Sequence, residues 1–310
     1  MKFIKAIPMA TCSLALALAA LGNLFGAAGL PNLRIACGIL SASVLLVFLL
    51  KIIFHFPHAN AELKTPVPMS VLPTSTMAVM LLGTYILDYI NPDIARVVWY
   101  AGLTAHILLM LLFAKRFIIG FKLATVFPSW FIPFVGLVVI SVTAPAFDAI
   151  PIGQAAFWAG FALYFIGLFL IILRMAKIKI FPEPARPTIA IFTAPMSLLI
   201  VGYFNSFAPP YRNNALIYIM LTVAVANYLF VSIMMFKLLK IKFYPTYAAF
   251  TFPYVISATA FRLGHNFLYG QGHSLLITSL LIHISFWLAI AAVVYVLAHY
   301  VKYFLFWLRF

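Results

Sequence analysis

The sequence predicts an all-α integral membrane protein with ten transmembrane helices, arranged as five parallel helical-hairpin repeats. Three observations lead to this prediction. Of the 310 residues, 66% are hydrophobic and only 8% are charged, whereas a water-soluble domain carries roughly a quarter charged residues. The apolar residues fall into ten long runs, and prolines recur along the chain at a spacing near 60 residues.

Each run is long enough to cross a bilayer, since about 20 apolar residues span the roughly 30 Å of hydrocarbon. The gaps are short and hold Pro, Gly, Asn or charged residues, which mark loops. Little chain is left for a soluble part, so we expect residues 1–310 to form one membrane domain. The runs cover residues 8–28, 33–56, 67–90, 94–114, 126–147, 152–173, 188–208, 213–236, 246–268 and 274–301.

The first run follows Lys2 and Lys5, as the core of a signal peptide would. It is longer than the 7–15 apolar residues of a typical signal core. It also opens the series of repeats, so we expect a retained first span.

The repeats are marked by prolines that open the odd-numbered runs. The intervals between these prolines are 58, 62, 59 and 58 residues. Such a fixed period indicates a repeat architecture, and it predicts hairpins at approximately 8–56, 66–114, 126–173, 187–236 and 245–301. All five would begin on the same side of the membrane. The opening prolines are Pro8, Pro66, Pro128, Pro187 and Pro245.

The two helices of each hairpin differ in their internal residues. Most odd runs contain further prolines, among them Pro73, Pro133, Pro195 and Pro253, and even runs contain none. Proline kinks a helix, and irregular backbone at membrane depth is tolerated where it is buried or lines a cavity. We therefore expect an inner ring of five kinked helices around a central pore and an outer ring of five helices. A general abundance of proline in membrane helices does not predict this odd–even difference.

The net charge of +15 would suggest nucleic acid in a soluble protein, but here almost all of the basic residues lie between the apolar runs or toward their ends. With ten spans, sixteen of the 20 basic residues fall on the side of the N-terminus. Cytoplasmic loops of membrane proteins carry excess Lys and Arg. We therefore expect both termini in the cytoplasm, a location in the cytoplasmic (inner) membrane and no nucleic-acid partner. The four residues on the other side are Arg34, Arg96, Arg212 and Arg262.

The ninth run contains Ala249-Phe250-Thr251-Phe252-Pro253. This stretch resembles the Phe-Ser/Thr-Phe-Pro/Gly signature of the tellurite-resistance and C4-dicarboxylate transporter family, which includes the plant guard-cell slow anion channels and bacterial relatives. Residues 257–261, 194–195 and 127–129 are similar to other family motifs. The resemblance implies a homotrimer in which each subunit has its own five-helix pore. It also implies that Phe252 blocks this pore as a gate.

Several residues are candidates for the site. The resemblance and the proline pattern place Phe250, Thr251 and Pro253 beside the gate. No Lys or Arg falls within the core of an odd run, so hydroxyl groups are the candidates for pore lining, although each could instead bond a carbonyl beside a kink. Arg262, toward the outer end of the ninth run, could attract anions at a mouth. The kink prolines are Pro73, Pro133 and Pro195, and the hydroxyl residues are Thr11, Ser13, Ser75, Thr76, Ser141, Thr143, Thr193, Ser197, Thr251 and Ser257.

The function that these observations favour is passage of small monovalent anions, such as chloride and nitrate, through a pore gated by phenylalanine. The alternative on the same fold is a secondary transporter or exporter of C4-dicarboxylate, sulfite or tellurite-related anions. The sequence has no HExxH motif, Cys/His cluster or paired carboxylates within a run, so we expect no enzyme activity, metal site or cofactor.

Overall fold

Long helical segments make up most of the molecule. The structure, a computed structural model, describes residues 2–178, 180–273 and 276–308, and in these it contains helices and connecting loops but no strand. In chain order the long segments are α1 (Thr11–Ala27), α2 (Pro31–Phe54), α3 (Pro66–Tyr89), α4 (Pro92–Phe117), α5 (Pro128–Phe147), α6 (Ile150–Lys177), α7 (Glu183–Ser206), α8 (Asn214–Leu238), α9 (Pro245–Phe250 followed by Phe252–Gly270) and α10 (Leu276–Leu308).

Eight of these segments, all except α1 and α9, are long and apolar enough to cross a membrane. Segment α1 is apolar but only 17 residues long. Segment α9 carries Arg262, His265 and Asn266 in its second half. The prediction of an all-α, multi-pass membrane protein is confirmed.

Burial alternates along the chain. In α3, α5 and α7, between 72% and 89% of the apolar stretch is buried, against 22% to 33% in α2, α4, α6, α8 and α10. Nearly all of α1 is buried as well, and so is most of α9 from Phe252 to Phe261. Exposed apolar side chains therefore lie mainly on the even-numbered segments, which suits them to contact with lipid.

The buried segments contact one another in a closed cycle. Segment α1 packs against α3, α3 against α5, α5 against α7, α7 against α9, and α9 against α1. The even-numbered segments lie outside this cycle, and α2, α4 and α10 each pack mainly on the odd segment that precedes them.

Four of the five odd segments, α3, α5, α7 and α9, have irregular backbone, as their prolines predict. Segment α1, which has no internal proline, is a continuous α-helix, so the expectation of a fifth kinked helix is wrong. Segment α3 breaks between Val71 and Thr74, next to Pro73, and α9 breaks at Thr251, next to Pro253. Segment α5 alternates between 3-10 and α-helix, and α7 starts with a 3-10 helix before Pro195. The even segments are continuous α-helices.

The helix-opening prolines follow the predicted pattern with one exception. Pro66, Pro128 and Pro245 occupy the first position of their segments, and Pro8 lies three residues before α1. Pro187, however, lies inside the 3-10 helix of α7, which begins at Glu183. The expectation that Pro187 opens the seventh segment is therefore wrong. Pro184, which directly follows Glu183, takes the starting position that tolerates a missing N–H.

Two glycines allow α6 and α7 to approach α5 closely at Val138. A Cβ atom added to Gly160 would lie 2.2 Å from Cγ2 of Val138, and one added to Gly202 would lie 2.7 Å from Cγ1. Small residues at such crossings let helix backbones pack tightly in membrane proteins. Val138 is fully buried between them.

We expect Gly160→Ala to destabilise the protein by about 1–3 kcal/mol, because the added methyl group forces α6 away from α5. Thermal unfolding of the purified protein in detergent would measure this as a lower midpoint. Gly270→Ala is the matched control, since an added Cβ there meets no atom within 4 Å. Equal midpoints for the two variants would contradict the proposed close contact.

Candidate functional site

A narrow cavity lies where the five odd-numbered segments converge. This central cavity has a volume of about 50 Å³. All five odd segments contribute residues to its lining, and Ala10, just before α1, adds one more. Its wall is mostly apolar. The aromatic lining residues are Phe131 and Phe252, and the hydroxyl-bearing ones are Ser13, Thr74, Thr188 and Thr246.

A wider space, the vestibule, lies at the N-terminal ends of the same segments. Its volume is about 560 Å³, and it shares Ala10, Val71 and Thr246 with the central cavity, so the two spaces adjoin. Glu62 is the acidic residue in its lining. The prolines at or near the starts of the segments form much of the wall: Pro8, Pro66, Pro68, Pro182, Pro184 and Pro245.

Phe252 lies at the wall of the central cavity, and its side chain is almost wholly buried. The backbone break at Thr251 places it there, because α9 restarts as an α-helix at Phe252, with Pro253 in its first turn. Phe250 lies two residues earlier and packs behind the wall against Tyr247, with 4.8 Å between ring centroids. The Thr251 hydroxyl donates to the Ala248 carbonyl at 2.6 Å. Thus Phe252 and Pro253, but neither Phe250 nor Thr251, line the cavity.

Phe131 is a lining residue that sequence reasoning did not identify. Its ring stacks on Tyr164 at 5.6 Å between centroids and meets Phe192 edge-on at 5.9 Å. The chain contains 31 phenylalanines, and the runs are apolar on all sides, so periodicity alone gives no signal for this one.

The hydroxyl residues named from the sequence mostly bond backbone carbonyls beside breaks. Ser75 donates to Leu72, Thr76 to Pro73 and Thr193 to Ala190. Thr143 donates to Val139 and accepts from the indole N–H of Trp99. Thr11 is buried in the first turn of α1. Of the ten residues, only Ser13 lines the central cavity.

Hydroxyl groups also join neighbouring odd segments at equivalent positions. Each such contact links residues about 60 positions apart in sequence, so neighbouring odd segments lie side by side. The oxygens of Ser13 and Thr74 are 3.0 Å apart, those of Ser70 and Ser129 2.7 Å, and those of Ser197 and Ser257 3.0 Å, while Ser206 donates to the Ser141 carbonyl at 2.7 Å. Ser141 itself donates to the Gly153 carbonyl of α6.

The kink prolines divide into two groups. Pro195 and Pro253 line the central cavity, whereas Pro73 and Pro133 do not. His106 of α4 is fully buried near the Pro73 break, where its Nδ1 lies 2.9 Å from the Thr76 hydroxyl. Its Cε1 is 3.2 Å from where a Cβ of Gly136 would be. The side chain of His106 therefore fills the space between α3 and α5, directly behind the cavity wall.

Charged groups lie on the vestibule side of the central cavity and on its opposite side. Lys51 is wholly buried in the last turn of α2, where it bonds the Ile7 carbonyl and the Glu62 carboxylate, the latter at 2.5 Å. His58 is 3.2 Å from the same carboxylate oxygen. The count of basic residues assigned Lys51 to the loops on the side of the N-terminus. Its position inside the second apolar run was the signal that could have indicated a buried ion pair. Arg262 is partly buried ten residues beyond Phe252, about 15 Å along the helix.

Within the described residues, no group of three or more His, Cys, Asp or Glu side chains could hold a metal ion. Cys12 and Cys37 are buried free thiols. Cys12 contacts the Met9 carbonyl and the Thr74 hydroxyl, and so belongs to the packing between α1 and α3.

The chain is similar in sequence to known membrane transport proteins. A family model described as voltage-dependent anion channel matches residues 4–302. Two uncharacterized transporters of Methanocaldococcus jannaschii are 29% identical over 174 residues and 28% identical over 211 residues. A tellurite resistance protein TehA homolog of Haemophilus influenzae is 27% identical over 206 residues.

These three alignments cover 52%, 60% and 64% of the chain, and 51%, 59% and 62% of the respective relatives. The chain thus spans about half to three fifths of the length of the curated relatives it matches.

The contact between Ser197 and Ser257 should contribute to stability as a pair. We expect a double-mutant cycle of Ser197→Ala and Ser257→Ala, followed by unfolding in detergent, to give a coupling energy of about 0.6 kcal/mol. Ser43→Ala paired with Ser257→Ala is the control, since Ser43 bonds only within its own helix and is exposed. Additive effects in the first cycle would show that the two hydroxyls do not interact.

Proposed function

Because this chain belongs to the voltage-dependent anion channel family, as the motif in α9 predicted, we propose that it is a channel for small monovalent anions such as chloride and nitrate. The proposed path runs through the vestibule and the central cavity, with Phe252 as its gate. The observation that supports this proposal is that all five odd segments border one narrow central cavity, which has Phe252 in its wall and adjoins the wider vestibule.

In the proposed architecture the ten long segments all cross the membrane, as five parallel hairpins in one domain. Three features support it: the closed cycle of contacts, the alternating burial and the side-by-side contacts of residues one period apart. The α1 helix alone is about 25 Å long. A turn that starts at Pro8 extends it toward the vestibule, with Thr11 donating to the Pro8 carbonyl.

The proposed orientation places the vestibule and both termini in the cytoplasm, with the chain in the inner membrane. The excess of basic residues on the vestibule side supports it. Two of the sixteen, Lys179 and Arg309, lie outside the described residues. Such an excess of positive charge steers anions toward the mouth.

The wall of the central cavity suits an anion that passes without tight binding. Its lining residues carry no charge, so it offers neither a repelling carboxylate nor a cation to trap the ion. The lining hydroxyls of Thr188 and Thr246 donate to the carbonyls of Ala185 and Pro184. These bonds occupy carbonyl lone pairs that would otherwise repel an anion.

A secondary transporter is the second candidate. The names of the relatives, two transporters and a tellurite resistance protein homolog, favour it. A carrier for C4-dicarboxylate, sulfite or a tellurite-related anion needs groups that hold a divalent substrate in a desolvated site. The uncharged lining of the central cavity therefore favours the channel. A homotrimer, each subunit with its own pore, is the assembly that the family resemblance implies.

Replacing Phe252 tests the gate. A large ring in a narrow apolar passage excludes ions by steric block and dewetting. We expect Phe252→Ala to raise the unitary or macroscopic chloride current at least about tenfold in planar bilayers, with Phe252→Leu intermediate.

Phe250→Leu is the matched control, since it changes the other aromatic of the motif but not the cavity wall, and its current should equal that of the wild type. Equal currents in Phe252→Ala and the wild type would remove Phe252 from the role of gate. Substrate exchange without current would instead support the carrier.

Glu62 should limit anion entry, because it is the carboxylate in the vestibule wall and it neutralises Lys51. Glu62→Gln keeps an acceptor for Lys51 but removes the negative charge. At about 0.1 M salt we expect the chloride current in the Phe252→Ala background to rise about two- to fourfold. This is the change in local chloride concentration that follows when a unit negative charge about 5 Å from the ion is removed in water.

At about 1 M salt this increase should vanish, since the Debye length falls to about 3 Å. Asp93→Asn is the control, because Asp93 is exposed at the start of α4, at the other end of the molecule. An unchanged or reduced current in Glu62→Gln would show that Glu62 does not shape the potential on the path.

A further inference from the structure

A lateral cleft of about 710 Å³ opens on the outer surface between α2 and α4, at their vestibule-side ends. Its side walls are apolar and include Phe48 and Ile52 of α2 and Leu109 and Leu112 of α4. Leu112 is 52% exposed, so the cleft is open to the surroundings of the protein and not to the proposed path.

The cleft reaches an inner segment. Its back wall contains Met69, Leu72 and Ser75 of α3, which flank the break at Pro73. The opposite face of the same break, at Val71 and Thr74, lines the central cavity. Segment α3 alone therefore separates the cleft from the central cavity at this point.

One end of the cleft is polar and positively charged. Lys115 and Arg116 lie there in the last turn of α4, and both side chains are exposed. Asn60 adds an amide group from the short helix Phe56–Glu62, which forms the floor of this end. Over the described part of the chain, neither Lys115 nor Arg116 takes part in an ion pair.

We propose that this cleft is a binding site for one anionic phospholipid, with an acyl chain between α2 and α4 and the phosphate group at Lys115 and Arg116. The chemistry of the site matches the two halves of such a molecule. An acyl chain packs against the apolar side walls of the cleft, and basic pockets between transmembrane helices bind acidic head groups. Both cations also lie in the last turn of α4, at the end of its long apolar stretch.

A second copy of the chain is the competing occupant. It would have to insert a protruding apolar segment beside two cations, and such a segment supplies no counter-charge for them. The negative head group of a lipid supplies that counter-charge, and charge complementarity therefore favours the lipid. This inference does not depend on the proposed anion conductance.

The test measures thermal unfolding of the purified full chain in detergent with added lipid. We expect phosphatidylglycerol to raise the midpoint by about 3 °C more than phosphatidylcholine does, because ligand binding to the folded state stabilises it. Inorganic phosphate at the same concentration should have no effect, since the acyl chain contributes most of the binding.

Two variants assign this effect to the cleft. Lys115→Gln with Arg116→Gln removes the cations, and Leu112→Trp fills the cleft at an exposed position while keeping them. Both should lose the preference for phosphatidylglycerol. Lys237→Gln with Lys240→Gln, which removes the same charge near the end of α8 away from the cleft, should keep it.

Equal effects of the two lipids on the wild type would overturn the proposal. So would an equal loss in both double variants, which would indicate general attraction of acidic lipid to a basic protein. A lipid preference that survives Leu112→Trp would place the lipid elsewhere. A change of oligomeric state in Leu112→Trp without any lipid dependence would identify a second copy as the occupant.

Discussion

The fold depends on one constraint: inside a bilayer every backbone N–H and C=O group must find its partner within the protein. All odd-numbered segments except α1 break this regularity, at Pro73, Thr251 and several other positions. Such segments cannot face lipid, so they are enclosed by continuous even-numbered helices. Hydroxyl groups beside the breaks, such as those of Thr76 and Thr251, then bond carbonyls that the altered helix geometry leaves available. Burial, hydroxyl content and backbone irregularity thus share one cause.

The same irregularity creates the proposed path. Because no side of a broken segment can face lipid, α3, α5, α7 and α9 turn inward, and together with the unbroken α1 they meet around a common axis. A break also decides which side chains point to that axis. In α9 the helix restarts after Thr251, so Phe252 lies at the cavity wall while Phe250 packs behind it against Tyr247. The central cavity at this wall is small, about 50 Å³, and the adjoining vestibule is about 560 Å³.

Much of the fold was accessible from the sequence, because apolar runs and a proline period are one-dimensional signals. The start of α7 was not, since Pro184 and Pro187 are both chemically able to begin a helix. The direction in which each hydroxyl points could not be predicted either: Ser197 and Ser257 bridge two segments away from the cavity, whereas Ser13 bridges two segments and also borders the cavity. Runs that are apolar on all sides carry no periodicity that separates these directions. Phe252 was identified from the family motif and not from any periodicity of the sequence.

The closed cycle of contacts has a consequence for biosynthesis. Segments α1 and α9 are far apart in sequence, yet their contact completes the ring. In the proposed architecture the first four hairpins can insert and pack on one another, but the wall stays open toward lipid until α9 arrives. A partly made chain would therefore lack the enclosed path that is proposed for the finished protein. The ring is sealed only after Phe252 has emerged with the segment that closes it.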